Sequence, residues 1–114
     1  MNIIDYHTAG GKNLILAYID KMSIVDKAIG YSIREKIHRD GIFAFEALDT
    51  RQLKKKLWEI KFSFHRLMYV VVDNDNIYFV HICKKQKNKA EQNEINKAIA
   101  RIRELENELH KKFI

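Results

Sequence analysis

Between residues 57 and 89, LWEIKFSFHRLMYVVVDNDNIYFVHICKKQKNK, three runs rich in Val, Ile, Tyr, Phe and Trp are separated by short polar breaks. Runs of this kind are consecutive antiparallel strands. Asp73-Asn74-Asp75-Asn76 tolerates left-handed backbone, so the second and third runs form a hairpin. Alternation in the first run places Trp58, Ile60 and Phe62 toward a core, and Leu57, Glu59 and Lys61 on a second, working face. Val70, Val71 and Val72 read as a central strand covered on both sides. In the last run Ile77, Phe79, His81 and Cys83 alternate with Tyr78, Val80, Ile82 and Lys84. His81 is read as a packed, hydrogen-bonded histidine and Cys83 as an inert core thiol.

Everything else must cover or extend that small sheet. Asn2 to Tyr6 is β-prone and is expected to pair with it. Ala9-Gly10-Gly11 breaks the chain, and a helix is expected from Lys12 to about Met22. Ser23 is an N-cap for a second helix, with Val25, Ala28, Ile29, Ile33 and Ile37 on its core face and Gly41 as its stop. Ile42 to Thr50 stays open between helix end and loop, and Arg51 to Lys56 is a basic lead-in. From Ala90 onward Ile95, Ala98, Ile99, Ile102, Leu105, Leu109 and Phe113 recur at helical spacing. That long helix is expected to pack on its own sheet or on a partner. The fold class is α+β: a helix pair on an antiparallel sheet of about four strands, with a long C-terminal helix, in one domain spanning 1–114.

Charge narrows the function. The net charge is +6, and it is unevenly placed. Residues 1–48 hold six Lys/Arg against six Asp/Glu, residues 90–114 five against five, and residues 49–89 ten against four. The excess therefore sits on the sheet and points to a polyanionic partner, or else to lysines that only keep the protein soluble. No apolar run approaches the roughly 20 residues of a membrane span, no secretion signal is visible, and one cysteine builds no disulfide framework. The expected address is the cytoplasm. Gly10-Gly11 lacks the spacing of a phosphate loop, the five histidines show no metal-ligand spacing, and no serine sits in a nucleophile elbow. Neither metal nor cofactor is expected.

What remains is cations, a few histidines, Glu59 and Tyr69 on or beside one sheet. Such groups suit cleavage of RNA through its own 2′-hydroxyl, which needs a proton acceptor, a cation for the phosphorane and a donor for the leaving 5′-oxygen. Lysine and arginine supply the charge, and a lysine crowded by other cations loses its proton more easily.

Trp58-Glu59-Ile60-Lys61, His65-Arg66-Leu67-Met68-Tyr69, Ile77 to His81, and Lys84-Lys85-Gln86-Lys87 before an acidic, alanine-containing helix together resemble the HigB-like branch of the RelE/ParE toxin superfamily. Tyr6, Gly11 and the paired helices fit the N-terminal half of that pattern. The resemblance implies a compact RelE-like fold and a toxin that cuts mRNA in the ribosomal A site without metal. It also implies neutralisation by a cognate antitoxin, commonly a helix-turn-helix protein, with DNA met only through the antitoxin complex. By position Lys61, Arg66, Lys84 and Lys85 match the family's basic residues, and Glu59 and Tyr69 match in either a catalytic or a structural role; Lys61, Arg66 and Lys84 or Lys85 are expected to surround the scissile phosphate. Lys54, Lys55, Lys56, Lys87 and Lys89 then hold RNA backbone. Two positions depart from the family: Lys61 replaces the usual arginine and its two-pronged fork, and no proline precedes the last helix. Two other functions stay open on sequence: a ParE-like inhibitor of DNA gyrase, and a non-catalytic adaptor for a helical partner.

Overall fold

The computed structural model describes residues 1–114. Strand β1 spans Asn2–Asp5, helix α1 Leu14–Asp20 and helix α2 Ile24–Asp40. A 3-10 segment, Gly41–Ala47, leads into β2 (Asp49–Lys54), β3 (Leu57–Phe62), β4 (His65–Val71), β5 (Asn76–Lys84) and α3 (Asn88–Leu109). The strands form one sheet in the order β1-β5-β4-β3-β2, antiparallel except that β1 runs parallel to β5. This is the α+β, RelE-like arrangement expected, with α1, α2 and the 3-10 segment on one face of the sheet and α3 on the other. No helix is long and apolar enough to cross a membrane.

The sheet has five strands rather than about four. The additional one is β2, which absorbs most of the basic lead-in; only Thr50 and Leu53 are even half-buried in it, as befits an edge strand with no apolar periodicity to announce it.

Two cores flank the sheet. Ile60, Phe62, Leu67, Tyr69, Ile77, Phe79 and Ile82 meet Ile15, Ile19, Ile33, Ile37 and Ala44 on the helix-pair side. Leu57, Met68, Val70, Val80 and Cys83 meet Ala98, Ile102 and Leu105 of α3 on the other. The expected working face of β3 is therefore largely a second core, and Trp58, expected inside, is 37% exposed at the rim of the first. Each fully buried aliphatic side chain contributes about 1.5–3 kcal/mol, which is why α3 stays on the sheet.

Local signals fix the helices. Asn13 caps α1 by accepting the Leu16 N–H at 2.9 Å, and Ser23 caps α2 by accepting from Asp26 at 3.2 Å. Gly41 ends α2 at φ +62°, a left-handed turn only glycine adopts without cost. At Gly30 an added Cβ would lie 3.3 Å from Ile19 Cγ2, a tight contact that Ile19 would have to relieve by a few tenths of an ångström. Val25 and Ala28, expected on the core face of α2, are exposed: the buried stripe centres on Gly30, Ile33 and Ile37, and both residues point away from it. Arg34 of α2 grips Asp5 of β1 with two bonds, 2.7 and 2.8 Å, anchoring the parallel strand.

A bulge decides which residues face α3. Met68 pairs with His81, but Tyr69 pairs with Phe79, leaving Val80 unmatched. Strict alternation puts His81 on the same face as Phe79; the extra residue turns it to the α3 side. Phe113 also departs from expectation. The helix stops at Leu109, His110 turns left-handed, and Phe113 and Ile114 fold back so that their N–H groups reach Glu106 Oε2 at 2.6 and 3.2 Å.

Candidate functional site

One end of the sheet gathers most of the sequence-nominated residues, in two rows. Lys61, Arg66 and Cys83 lie side by side across β3, β4 and β5, facing α3. Phe62, His65 and Lys84 form the next row and face the helix pair. Directly paired residues share a face and successive ones alternate, so Arg66 and Lys84 project from opposite sides of the sheet.

On the α3 side, Arg66 is buried in an ion-pair network. Glu59 Oε1 accepts from Arg51 at 2.9 Å and from Arg66 at 3.4 Å, while Glu91 Oε1 accepts from Arg51 at 2.6 Å and from Arg66. Glu59 is fully buried, and Arg51 and then Arg66 hold the Glu91 carboxyl below its ordinary range. Four charges thus tie β2, β3, β4 and the first turn of α3 together. Arg66 and Glu59 are both buried, and Glu59 Oε2 and Arg66 Nε have no hydrogen-bond partner there. Tyr69 stands on the other face, buried and stacked on Phe45 with centroids 5.1 Å apart. Its hydroxyl is pushed well above the usual phenol range by burial.

On the helix-pair side a cleft of about 690 Å³ opens between α1, the start of α2 and the β3–β4 turn. Tyr18, Lys21, Asp26, His65 and Lys84 line it, with Phe64 standing 77% exposed at its lip. Inside, Tyr18 Oη lies 2.8 Å from His65 Nδ1, His65 Nε2 lies 3.2 Å from Asp26 Oδ2, and Ser63 donates to Asp26 Oδ1 at 2.7 Å. The Ser63 hydroxyl, and after it His65, hold Asp26 below the usual carboxylate range. An ionised Asp26 only accepts, so the neutral ring carries its proton on Nε2 and presents Nδ1 to the Tyr18 hydroxyl. Burial pushes Tyr18 up to about 12, so it stays protonated at neutral pH. The result is an Asp–His–Tyr chain with its phenol in the cleft and two lysines beside it. Tyr18 and Asp26 were not nominated from sequence, and His65 entered only as part of a strand motif. The one signal pointing to Asp26 is its place three residues after the Ser23 cap.

The other nominated cations are exposed except Lys61, which is half-buried. Lys61 lies 3.9 Å from Asp49, and Lys54, Lys55, Lys56, Lys84, Lys85, Lys87 and Lys89 have no acidic partner within ion-pair distance. Lys87 and Lys89 stand at the N-terminus of α3, where the helix dipole disfavours cations, so they add to a positive field rather than neutralise one. Lys54, Lys55 and Lys56 sit at the opposite end of β3, about 17 Å away at ~3.3 Å per residue.

A second polar cluster lies under α3. His81, Cys83 and Glu94 bring ligand atoms within 4.8 Å of one another and are the residues that could hold a metal ion, a grouping invisible in the histidine spacing. The local chemistry opposes it. Arg101 donates to His81 Nδ1 at 3.0 Å, which leaves the proton on Nε2, the nitrogen facing Glu94. Burial pushes the Cys83 thiol up to about 12, the inert behaviour expected of it. Arg101 is itself pinned by the Val80 carbonyl at 2.9 Å and by the Tyr6 ring at 4.3 Å. His81 is thus packed and hydrogen-bonded, as expected. Burial lowers its pKa, so the unfolded chain binds a proton there that the folded chain refuses. Stability therefore falls as pH drops below about 6.5. Urea midpoints measured from pH 7 to pH 5 should decline, and the His81→Gln variant should decline less.

No curated protein matches the chain. A family model described as "Phage derived protein Gp49-like (DUF891)" matches residues 17–103, which takes in the Tyr18–His65–Asp26 cleft, the ion-pair network and most of α3. With three quarters of its length inside that match, this chain belongs to the Gp49-like family of phage-derived proteins.

Proposed function

We propose that the protein is the toxin of a type II toxin–antitoxin system and a metal-independent endoribonuclease that cuts mRNA during translation. Membership of the Gp49-like family, a group of RelE- and HigB-like type, supports the toxin reading and a cognate antitoxin as partner. The observation that carries the chemistry is the Asp26–His65–Tyr18 chain opening into a cleft edged by the unpaired cations Lys21 and Lys84.

In this reading the 2′-hydroxyl gives its proton to Tyr18 Oη as the phenol proton moves to His65 Nδ1, and Asp26 stabilises the imidazolium that forms. The 2′-oxygen attacks phosphorus, and the bond to the 5′-oxygen breaks. Lys84 neutralises the phosphorane and protonates the leaving oxygen, with Lys21 and Lys85 around the same phosphate. Lys61, Lys87 and Lys89 hold flanking backbone. Glu59 and Arg66 act from beneath, by fixing β4 against α3, and Tyr69 lies outside the reaction.

The test is a purified translation system programmed with a reporter message. Message fragments ending in 2′,3′-cyclic phosphate, with naked RNA cut far more slowly, are the expected result. Intact message with normal translation rejects the proposal, and DNA breaks in cells with intact RNA assign the protein to gyrase instead.

A further inference from the structure

The helix-pair face carries a second cleft, of about 710 Å³, at the end of β3 remote from His65. Gln52, Trp58 and Tyr69 lie in one row across β2, β3 and β4 and form its floor. Phe45, stacked on Tyr69 at an interplanar angle of 15°, and the exposed Ile42 form one wall. Lys55 and Lys56 stand on the opposite rim. The volume suits a small planar ligand, and the walls pair aromatic faces with cations.

Three observations select the occupant. Trp58 keeps more than a third of its surface in water although β3 is otherwise a core strand, so its ring is presented rather than packed. Lys55 and Lys56 have no acidic partner within ion-pair distance and outnumber Glu46, the one acidic residue of the lining, so the rim keeps a net positive charge. Lys55 holds φ +50°, with its carbonyl accepting from Gln52 Nε2 at 2.7 Å. Glycine or asparagine meets that left-handed position at less cost, so the lysine there supplies charge rather than turn geometry. Aromatic faces beside unpaired cations are how single-stranded nucleic acid is held without sequence readout.

We propose that this cleft stacks an unpaired base of single-stranded RNA on Trp58, while Lys55 and Lys56 take the adjoining phosphates. The site lies about 13 Å from the His65 row, four residues along β3 at ~3.3 Å each. It would therefore hold a nucleotide flanking the one being cut. The choice of RNA rests on the proposed function; the cleavage chemistry does not enter.

Trp58 is the only tryptophan in the chain, so its fluorescence reports on this cleft alone. Titration with a short oligoadenylate at low salt should quench it saturably. An abasic ribose-phosphate chain of equal length should bind more weakly and leave the emission unchanged. Trp58→Ala should weaken binding of a labelled oligoadenylate about tenfold, Trp58→Phe much less, and the double change Lys55→Glu with Lys56→Glu should remove the quenching. Lys55→Gly should raise the thermal midpoint while lowering affinity, because it relieves the left-handed strain and removes the charge. Tyr18→Phe should quench like the unaltered protein even if it never cuts RNA, which separates failure of this site from failure of the nuclease reading. Oligoadenylate binding that leaves Trp58 emission unchanged, equal quenching by the abasic chain, or Trp58→Ala affinity at the unaltered level would overturn the proposal.

Discussion

Arg66→Ala should cost about 3–5 kcal/mol of folding stability, because it leaves Glu59 buried and charged with only the half-exposed Arg51 to face it. A cation that merely touched substrate would cost almost nothing on removal. The companion change separates the two roles: Glu59→Leu with Arg66→Met removes both charges, keeps the volume, and should restore most of the loss. Urea denaturation followed by circular dichroism measures all three proteins. An Arg66→Ala variant within about 1 kcal/mol of the parent would mean that the network carries no structural weight. Loss of toxicity in an Arg66 variant is therefore uninformative without its unfolding curve.

His65→Ala should lower RNA cleavage by about 10²- to 10⁴-fold, the usual contribution of a positioned acid–base group, with Asp26→Asn and Tyr18→Phe falling in the same range. The three act as one chain, so combining His65→Ala with Asp26→Asn should cost little more than His65→Ala alone. Lys84→Ala, which removes the cation at the phosphorane and the proton donor to the leaving oxygen, should multiply with them. Single-turnover cleavage in the translation system provides the rates, and circular dichroism checks the fold. Independent, fully multiplicative losses across Tyr18, His65 and Asp26 would break the relay into unrelated residues.

Much of the architecture could be read directly from the residues. The β-rich runs, the Asp73–Asn76 turn, Ser23 and Gly41 are local signals, each acting within a few residues of its own position, and each sits where expected. Non-local features were harder. Strand β2 is a strand because β3 pairs with it, not because its own residues alternate. The Val80 bulge shows only in the register against β4, yet it decides that His81 meets Arg101 rather than the helix-pair core.

The site divides along the same line. Charge imbalance alone singles out the ten cations of residues 49–89, of which seven stand exposed without an acidic partner while Arg51, Lys61 and Arg66 are paired. It could not show that Arg66 and Lys84 leave the sheet on opposite sides, because that depends on strand register. Nor could it join Tyr18, Asp26 and His65, whose neighbours in sequence lie up to 47 residues apart. Glu91 and Asp26 look like solvated helix charges in sequence, yet each organises a basic partner in the fold.

Both clefts open along the seam between the sheet and its helix pair, and α3 lies wholly on the reverse side. An inhibitor that clasps α3 therefore leaves both mouths uncovered, and could silence the protein only by blocking its seat on a larger assembly or by distorting β4 through Glu91. Simple plugging demands an approach from the front, past Phe64 or Ile42, whose greasy, water-facing side chains flank the two entrances as ready footholds.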